Sequence, residues 1–84
     1  MYKIIFQKQA EKFFRKLDKN EQEQVAKKIN ELSNNPKLGK PLVEKLAGLW
    51  SLRIGNYRAI YAIKNEELIV LVLKLGHRKN VYDF

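Results

Sequence analysis

The sequence predicts an α+β domain: a strand, a helical hairpin, then a three-stranded antiparallel meander, with the helices packed on one face of a small sheet. Three observations predict it. A β-prone apolar run opens the chain at residues 2–6, two stretches of helical periodicity occupy residues 7–33, and beyond Gly48 the apolar residues begin to alternate.

The elements follow in order. Residues 2–6 read as a strand that ties down the N-terminus. Ala10, Phe13, Phe14 and Leu17 then match the i, i+3, i+4, i+7 template with Lys12, Arg15 and Lys16 on the other side, which predicts a helix over residues 7–17. Asp18-Lys19-Asn20 breaks it. Asn20 with Glu23 resembles a capping box, and Val25, Ile29 and Leu32 share a stripe, so a second helix should run to about residue 33. Residues 37–48, carrying Gly39, Pro41 and Gly48, read as a connecting loop with one helical turn. Trp50, Leu52 and Ile54 alternate with Ser51 and Arg53, Gly55-Asn56 supplies a two-residue turn, and residues 57–63 form the next strand. A polar turn at residues 64–67 leads to residues 68–75, apolar on both faces apart from Lys74, as expected of a central strand.

Composition sets the class. With 84 residues and 45% hydrophobic content, the chain should form one domain over residues 1–84 with one modest core. Its 17 Lys and Arg against 9 Asp and Glu give a net charge of +8, which favours polyanionic partners such as RNA, DNA or an acidic protein. The absence of cysteine excludes disulfides and thiolate zinc sites and fits a cytoplasmic protein. No apolar run approaches a membrane span, so no membrane partner is expected.

Register turns the meander into a candidate site. If Gly55 and Asn56 form the turn, Ile54 pairs with Tyr57 and Arg53 stands opposite Arg58 on one face. Trp50, Leu52, Ile54, Tyr57, Ala59, Tyr61 and Ile63 fall on the other face, under the helices. Directly opposed like charges cost about 0.2–1 kcal/mol, and a bound phosphate would relieve them because the guanidinium fork binds oxyanions bidentately. A three-residue loop over residues 65–67 would pair Lys64 with Leu68 and place Lys74 opposite Arg58. A two- or four-residue loop would instead bury Lys74 beneath the helices; the first is preferred. The tail then brings His77, Arg78, Lys79 and Tyr82 close enough to join this face if it folds back.

Such a set can cut RNA without a metal. The 2′-hydroxyl must be deprotonated, the leaving 5′-oxygen protonated, and the added negative charge stabilised. Arg53, Arg58 and Arg78 can clamp charge, while His77 and Tyr82 are the tail groups able to exchange protons, the phenol only if nearby arginines lower its pKa from about 10. One histidine without clustered carboxylates makes a poor metal site, and no cofactor is expected. Each residue also has a structural reading. The arginines could form a solvated face, His77 a surface histidine, Tyr82 a tail anchor, and Lys12, Arg15, Lys16, Lys27 and Lys28 a solubilising helix surface or an RNA contact through counterion release.

The stretches "KLAGLWSLRIGNYRAIY" and "VLKLGHRKNVYDF", together spanning residues 45–84, resemble the sheet and tail of the RelE toxins of prokaryotic toxin–antitoxin systems, especially archaeal members. "LRIGNYR" is shared with the related ParE toxins, and "GHRKNVY" narrows the match. The resemblance implies a toxin that enters the ribosomal A site, cleaves mRNA there and is neutralised by a RelB-like antitoxin. It implies that Arg58 and Arg78 stabilise the phosphate and transition state and that Tyr82 is the general base. Arg53 stands where other members carry a catalytic lysine, Ser51 where some carry a lysine, and His77 replaces a basic residue. Lys45 matches a basic position that touches RNA backbone, and Lys74 and Lys79 extend the basic surface. The general acid stays open between Arg78 and His77.

Overall fold

The computed structural model describes residues 1–81 of the chain. Strand β1 (Lys3–Phe6) leads into α1 (Lys8–Lys16) and α2 (Lys19–Asn30), followed by a two-residue strand β2 (Lys40–Pro41) and the meander β3 (Trp50–Ile54), β4 (Tyr57–Lys64) and β5 (Ile69–His77). These strands form one sheet in the order β1-β5-β4-β3-β2, with β1 parallel to β5 and the other pairs antiparallel. The predicted helical hairpin is therefore the crossover that brings β1 alongside β5.

Both helices lie on one face. Ala10 from α1, Val25 and Ile29 from α2 and the following Leu32 bury against Leu52, Ile54, Ala59, Tyr61, Val70, Val72 and Leu75. Each such aliphatic side chain contributes about 1.5–3 kcal/mol on full burial, which is how a chain without disulfides holds its core. The helix break comes at Leu17, whose extended backbone (ψ 151°) makes Asp18 the first residue outside the second helix. Asp18, rather than the expected Asn20, is accordingly the N-cap, its carboxylate accepting from the Glu21 N–H at 2.9 Å. Strand β1 stops at Phe6, so β5 beyond Val72 needs other partners on that edge. Gln9 supplies them: its side-chain amide donates to the Leu75 carbonyl and accepts from the Leu75 N–H.

The β4–β5 register differs from the sequence expectation in two compensating ways. The loop has four residues, pairing Lys64 with Ile69, because Leu68 adopts a left-handed conformation (φ 54°) after the 3-10 turn Asn65–Glu67. That register alone would turn Lys74 toward the helices. A bulge then leaves Leu73 without a partner, since Tyr61 pairs with Val72 and Ile60 with Lys74. The extra residue shifts the strand's phase, so Lys74 does face away from the helices, but opposite Ile60 rather than Arg58. Gly76 takes the place opposite Arg58.

Candidate nucleic-acid interface

The sheet face away from the helices carries the arginines. Arg53 pairs with Arg58 across the Gly55-Asn56 turn, where Gly55 has the positive φ (60°) that a tight hairpin requires. Arg58 is half-buried, and its Nη1 donates to Ser51 Oγ at 3.0 Å. Ser51 was expected to touch RNA; it is only 3% exposed, so its hydroxyl fixes the guanidinium instead of offering contact surface. Arg53 is exposed. The two arginines line a groove of about 320 Å³ whose other cations are Lys28 and Lys40, with no carboxylate in the lining.

Lys40 was absent from the sequence-based site. It pairs with Ser51, so β2 places it on the arginine face. A two-residue strand ending in Pro41 has no alternation to read; the register of Ser51 is what reveals it. Its position is fixed from below. The Tyr61 hydroxyl donates to the Pro36 carbonyl at 2.7 Å and accepts from the Gly39 N–H at 3.1 Å. A Cβ on Gly39 would lie 2.4 Å from the Ser51 carbonyl oxygen and 2.8 Å from the Tyr61 hydroxyl, so only glycine permits this approach. Burial holds the Tyr61 phenol above its ordinary pKa, partly offset by the hydrogen bond from Gly39.

Of the tail, residues 78–81 are described. After β5 the chain turns, with the Asn80 and Val81 N–H groups both donating to the His77 carbonyl, and Val81 is 1% exposed against Gly76. Arg78, in the turn after β5, donates its backbone N–H to the Asn56 carbonyl at 2.9 Å, which places it at the turn end of the sheet. Asn56, His77, Arg78, Lys79 and Asn80 line a second hollow there.

Two expected members stand outside the lining of the arginine groove. His77 was expected to join the arginines, but β5 runs through it and strand alternation turns its ring to the helix side. The imidazole packs 5.6 Å from the Phe13 ring and 5.3 Å from that of Tyr57. Tyr57 in turn donates to the Glu21 carboxylate, a bond that, with burial and the negative charge nearby, holds its phenol above the ordinary pKa. Lys45 is exposed in the 3-10 turn Glu44–Leu46 at the tip of the loop between β2 and β3, beyond the Leu42–Leu49 backbone bond and outside the groove lining. Tyr82 lies outside the described residues.

Residues 4–82 match the model of a family described as the ParE toxin of the type II toxin–antitoxin system parDE. The chain belongs to this RelE/ParE toxin family. The mRNA interferase toxin RelE of Escherichia coli K12 is 31% identical to the toxin over 83 residues, covering 93% of this chain and 84% of that protein. Toxin RelG of Mycobacterium tuberculosis is 42% identical over 55 residues, covering 64% of this chain and 63% of RelG. Among solved structures, the RelBE2 toxin–antitoxin complex of M. tuberculosis superposes with a TM-score of 0.83 at 35% identity, covering 92% of this chain and 98% of that one. The archaeal RelE–RelB complex of Pyrococcus horikoshii shares the fold at a TM-score of 0.74 and 24% identity, over 92% of this chain and 94% of that one. The RelE-like architecture expected from the meander and tail is thus the toxin's fold.

Proposed function

We propose that the toxin is a ribosome-dependent endoribonuclease that cleaves mRNA in the ribosomal A site. The observation that carries this reading is the Arg53–Arg58 pair: two guanidinium groups directly opposed in a groove lined by cations, one of them anchored by a buried serine. A phosphate between them removes the repulsion and takes up the geometry that both forks favour. The E. coli relative named as an mRNA interferase supports the same chemistry.

In the reaction, the 2′-oxygen attacks the adjacent phosphorus and the bond to the 5′-oxygen breaks, leaving a cyclic phosphate and a 5′-hydroxyl end. Arg53 and Arg58 take up the charge that develops on the non-bridging oxygens. Tyr82, the base that the family resemblance implies, takes the 2′-hydroxyl proton in this scheme. Arg78 meets the leaving oxygen, with His77, which lines the same hollow, as the alternative donor. A guanidinium does this by charge, so the proton comes from solvent. No step requires a metal. Lys74 and Lys79 contribute backbone attraction around the site, and Lys45 does so only from the distant loop.

A RelB-like antitoxin is the proposed partner, since both the RelBE2 complex and the E. coli RelBE complex pair related toxins with one. Its acidic and apolar residues would cover the arginine face. The family description, which names ParE, favours a second reading in which the toxin poisons DNA gyrase by binding alone.

Programmed ribosomes distinguish the two. Position-specific mRNA cuts that vanish in Arg78→Ala, and that slow in Tyr82→Phe without loss of ribosome binding, are the expected result. Intact mRNA together with stalled gyrase–DNA complexes would replace the first reading by the second. Ribosome binding without cuts would leave an RNA-binding module.

A further inference from the structure

We infer that Lys40 and Lys28 form a second phosphate subsite, which holds the mRNA backbone beside the scissile phosphate as the strand leaves over the β2–β3 edge. This rests on the RNA-cleaving reading of the Arg53–Arg58 pair and extends it to the rest of the groove. Arg58, Arg53 and Lys40 stand on three successive strands, and pairing puts all three on one face. Arg53 and Arg58 are directly opposed, whereas Lys40 pairs with Ser51, two residues along β3 from Arg53. With strands about 4.8 Å apart and a rise of about 3.3 Å per residue, the charges run obliquely across the sheet, and Lys40 stands about 8 Å from Arg53, within reach of a neighbouring phosphate on an extended strand.

Lys28 completes the track from the helix side. Strand β2 covers β3 only at Trp50 and Ser51, which leaves the outer edge at Arg53 and Ile54 without a strand neighbour among the described residues. Lys28 lines the groove there and also lines the adjoining hollow with Gln24, Arg53 and Gly55, so it sits where the arginine face meets the edge. Its ion pair with Glu31 is long, at 3.8 Å, and exposed, so its charge remains available to a phosphate. Among the described residues Lys40 makes no ion pair.

The residue types fit the division of labour. Lysine is a point charge on a flexible stem, which suits holding a backbone in register, whereas the paired guanidinium forks suit the phosphate that changes geometry. The base of Lys40 is nevertheless fixed, because Gly39 beside it is pinned by the Tyr61 hydroxyl and the adjacent Ser51 backbone.

Binding of a short, 2′-O-methylated single-stranded RNA, measured by fluorescence anisotropy over a range of salt, tests the subsite. Two lost phosphate contacts lower the slope of log K against log salt by about 1.4, from roughly 0.7 per phosphate on single strands. Lys28→Gln with Lys40→Gln should show that loss, while Lys12→Gln with Lys16→Gln, exposed on α1, should keep the wild-type slope. On programmed ribosomes the groove variant should need more toxin for half-maximal single-turnover cleavage, with the maximal rate within about threefold of wild type.

An unchanged slope, or equal losses in both double variants, would overturn the subsite. A defect seen only with ribosomes would assign these lysines to ribosomal RNA and would equally overturn it. If the wild-type toxin fails to cut mRNA while the slope falls as expected, the cleavage reading fails and the phosphate track stands.

Discussion

Tyr61→Phe removes one oxygen and leaves the packing intact, since the ring is fully buried and stacks on Trp50 at 6.3 Å with or without the hydroxyl. Two hydrogen bonds disappear, to the Pro36 carbonyl at 2.7 Å and from the Gly39 N–H at 3.1 Å. A neutral hydrogen bond contributes about 0.5–1.5 kcal/mol net, and a fully buried partner left unsatisfied costs about 1–3 kcal/mol. Both bonds here are part-buried, so water reaches the freed groups in part, and the expected loss is about 2 kcal/mol. For a chain of 84 residues, that lowers the melting temperature by roughly 8–16 °C.

Urea unfolding at neutral pH measures this directly, with an unchanged m-value expected because the same surface is exposed on unfolding. The pH dependence supplies an independent check. Burial raises the Tyr61 phenol in the folded state, so the protonated hydroxyl contributes its full stability below the unfolded value of about 10. That contribution is lost as pH rises through the folded value, so the gap between wild type and Tyr61→Phe should narrow above pH ~10. A loss below about 0.5 kcal/mol, or a gap that widens at alkaline pH, would refute the claim that this hydroxyl fixes the segment carrying Lys40.

Three further changes probe the site and its supports. Ser51→Ala removes an acceptor of the Arg58 guanidinium and should slow single-turnover cleavage about tenfold, as expected for a charge-assisted bond of about 1.5 kcal/mol; an unchanged rate would deny Ser51 its positioning role. Gly39→Ala forces a Cβ against backbone that cannot yield and should cost about 1–3 kcal/mol in urea unfolding, with weakened RNA binding as Lys40 shifts. His77→Ala should remove ring contacts with Phe13 and Tyr57 and lower the melting temperature, yet leave the single-turnover rate and its pH profile in place; loss of one limb of that profile would return His77 to the chemistry.

Much of the site was legible because a two-residue turn fixes register. Gly55-Asn56 sets Ile54 against Tyr57, and Arg53 against Arg58 follows by counting. Lys74 reached its expected face by a different route, since a four-residue loop and the bulge at Leu73 each shift the strand's phase by one and together cancel. Neither leaves a mark in an apolar run such as residues 68–75. His77 packs against α1 because β5 continues two residues past its expected end, and it still lines the hollow with Arg78 and Lys79. The capping residue of α2 moved from Asn20 to Asp18 because the helices are separated only by Leu17 and Asp18.

By itself the sequence determined the order of elements, the face that the helices cover and the opposition of two arginines, because all three depend on local periodicity and one tight turn. The resemblance of its meander and tail also determined the family. Only the tertiary structure decided what surrounds the arginines. Ser51 beneath Arg58, Lys40 beside them and Lys28 at the edge come from different parts of the chain, and what joins them is a two-residue bridge, a tyrosine hydroxyl and a glycine without room for a Cβ. Such contacts depend on distances between segments far apart in sequence, which no local pattern of residues encodes.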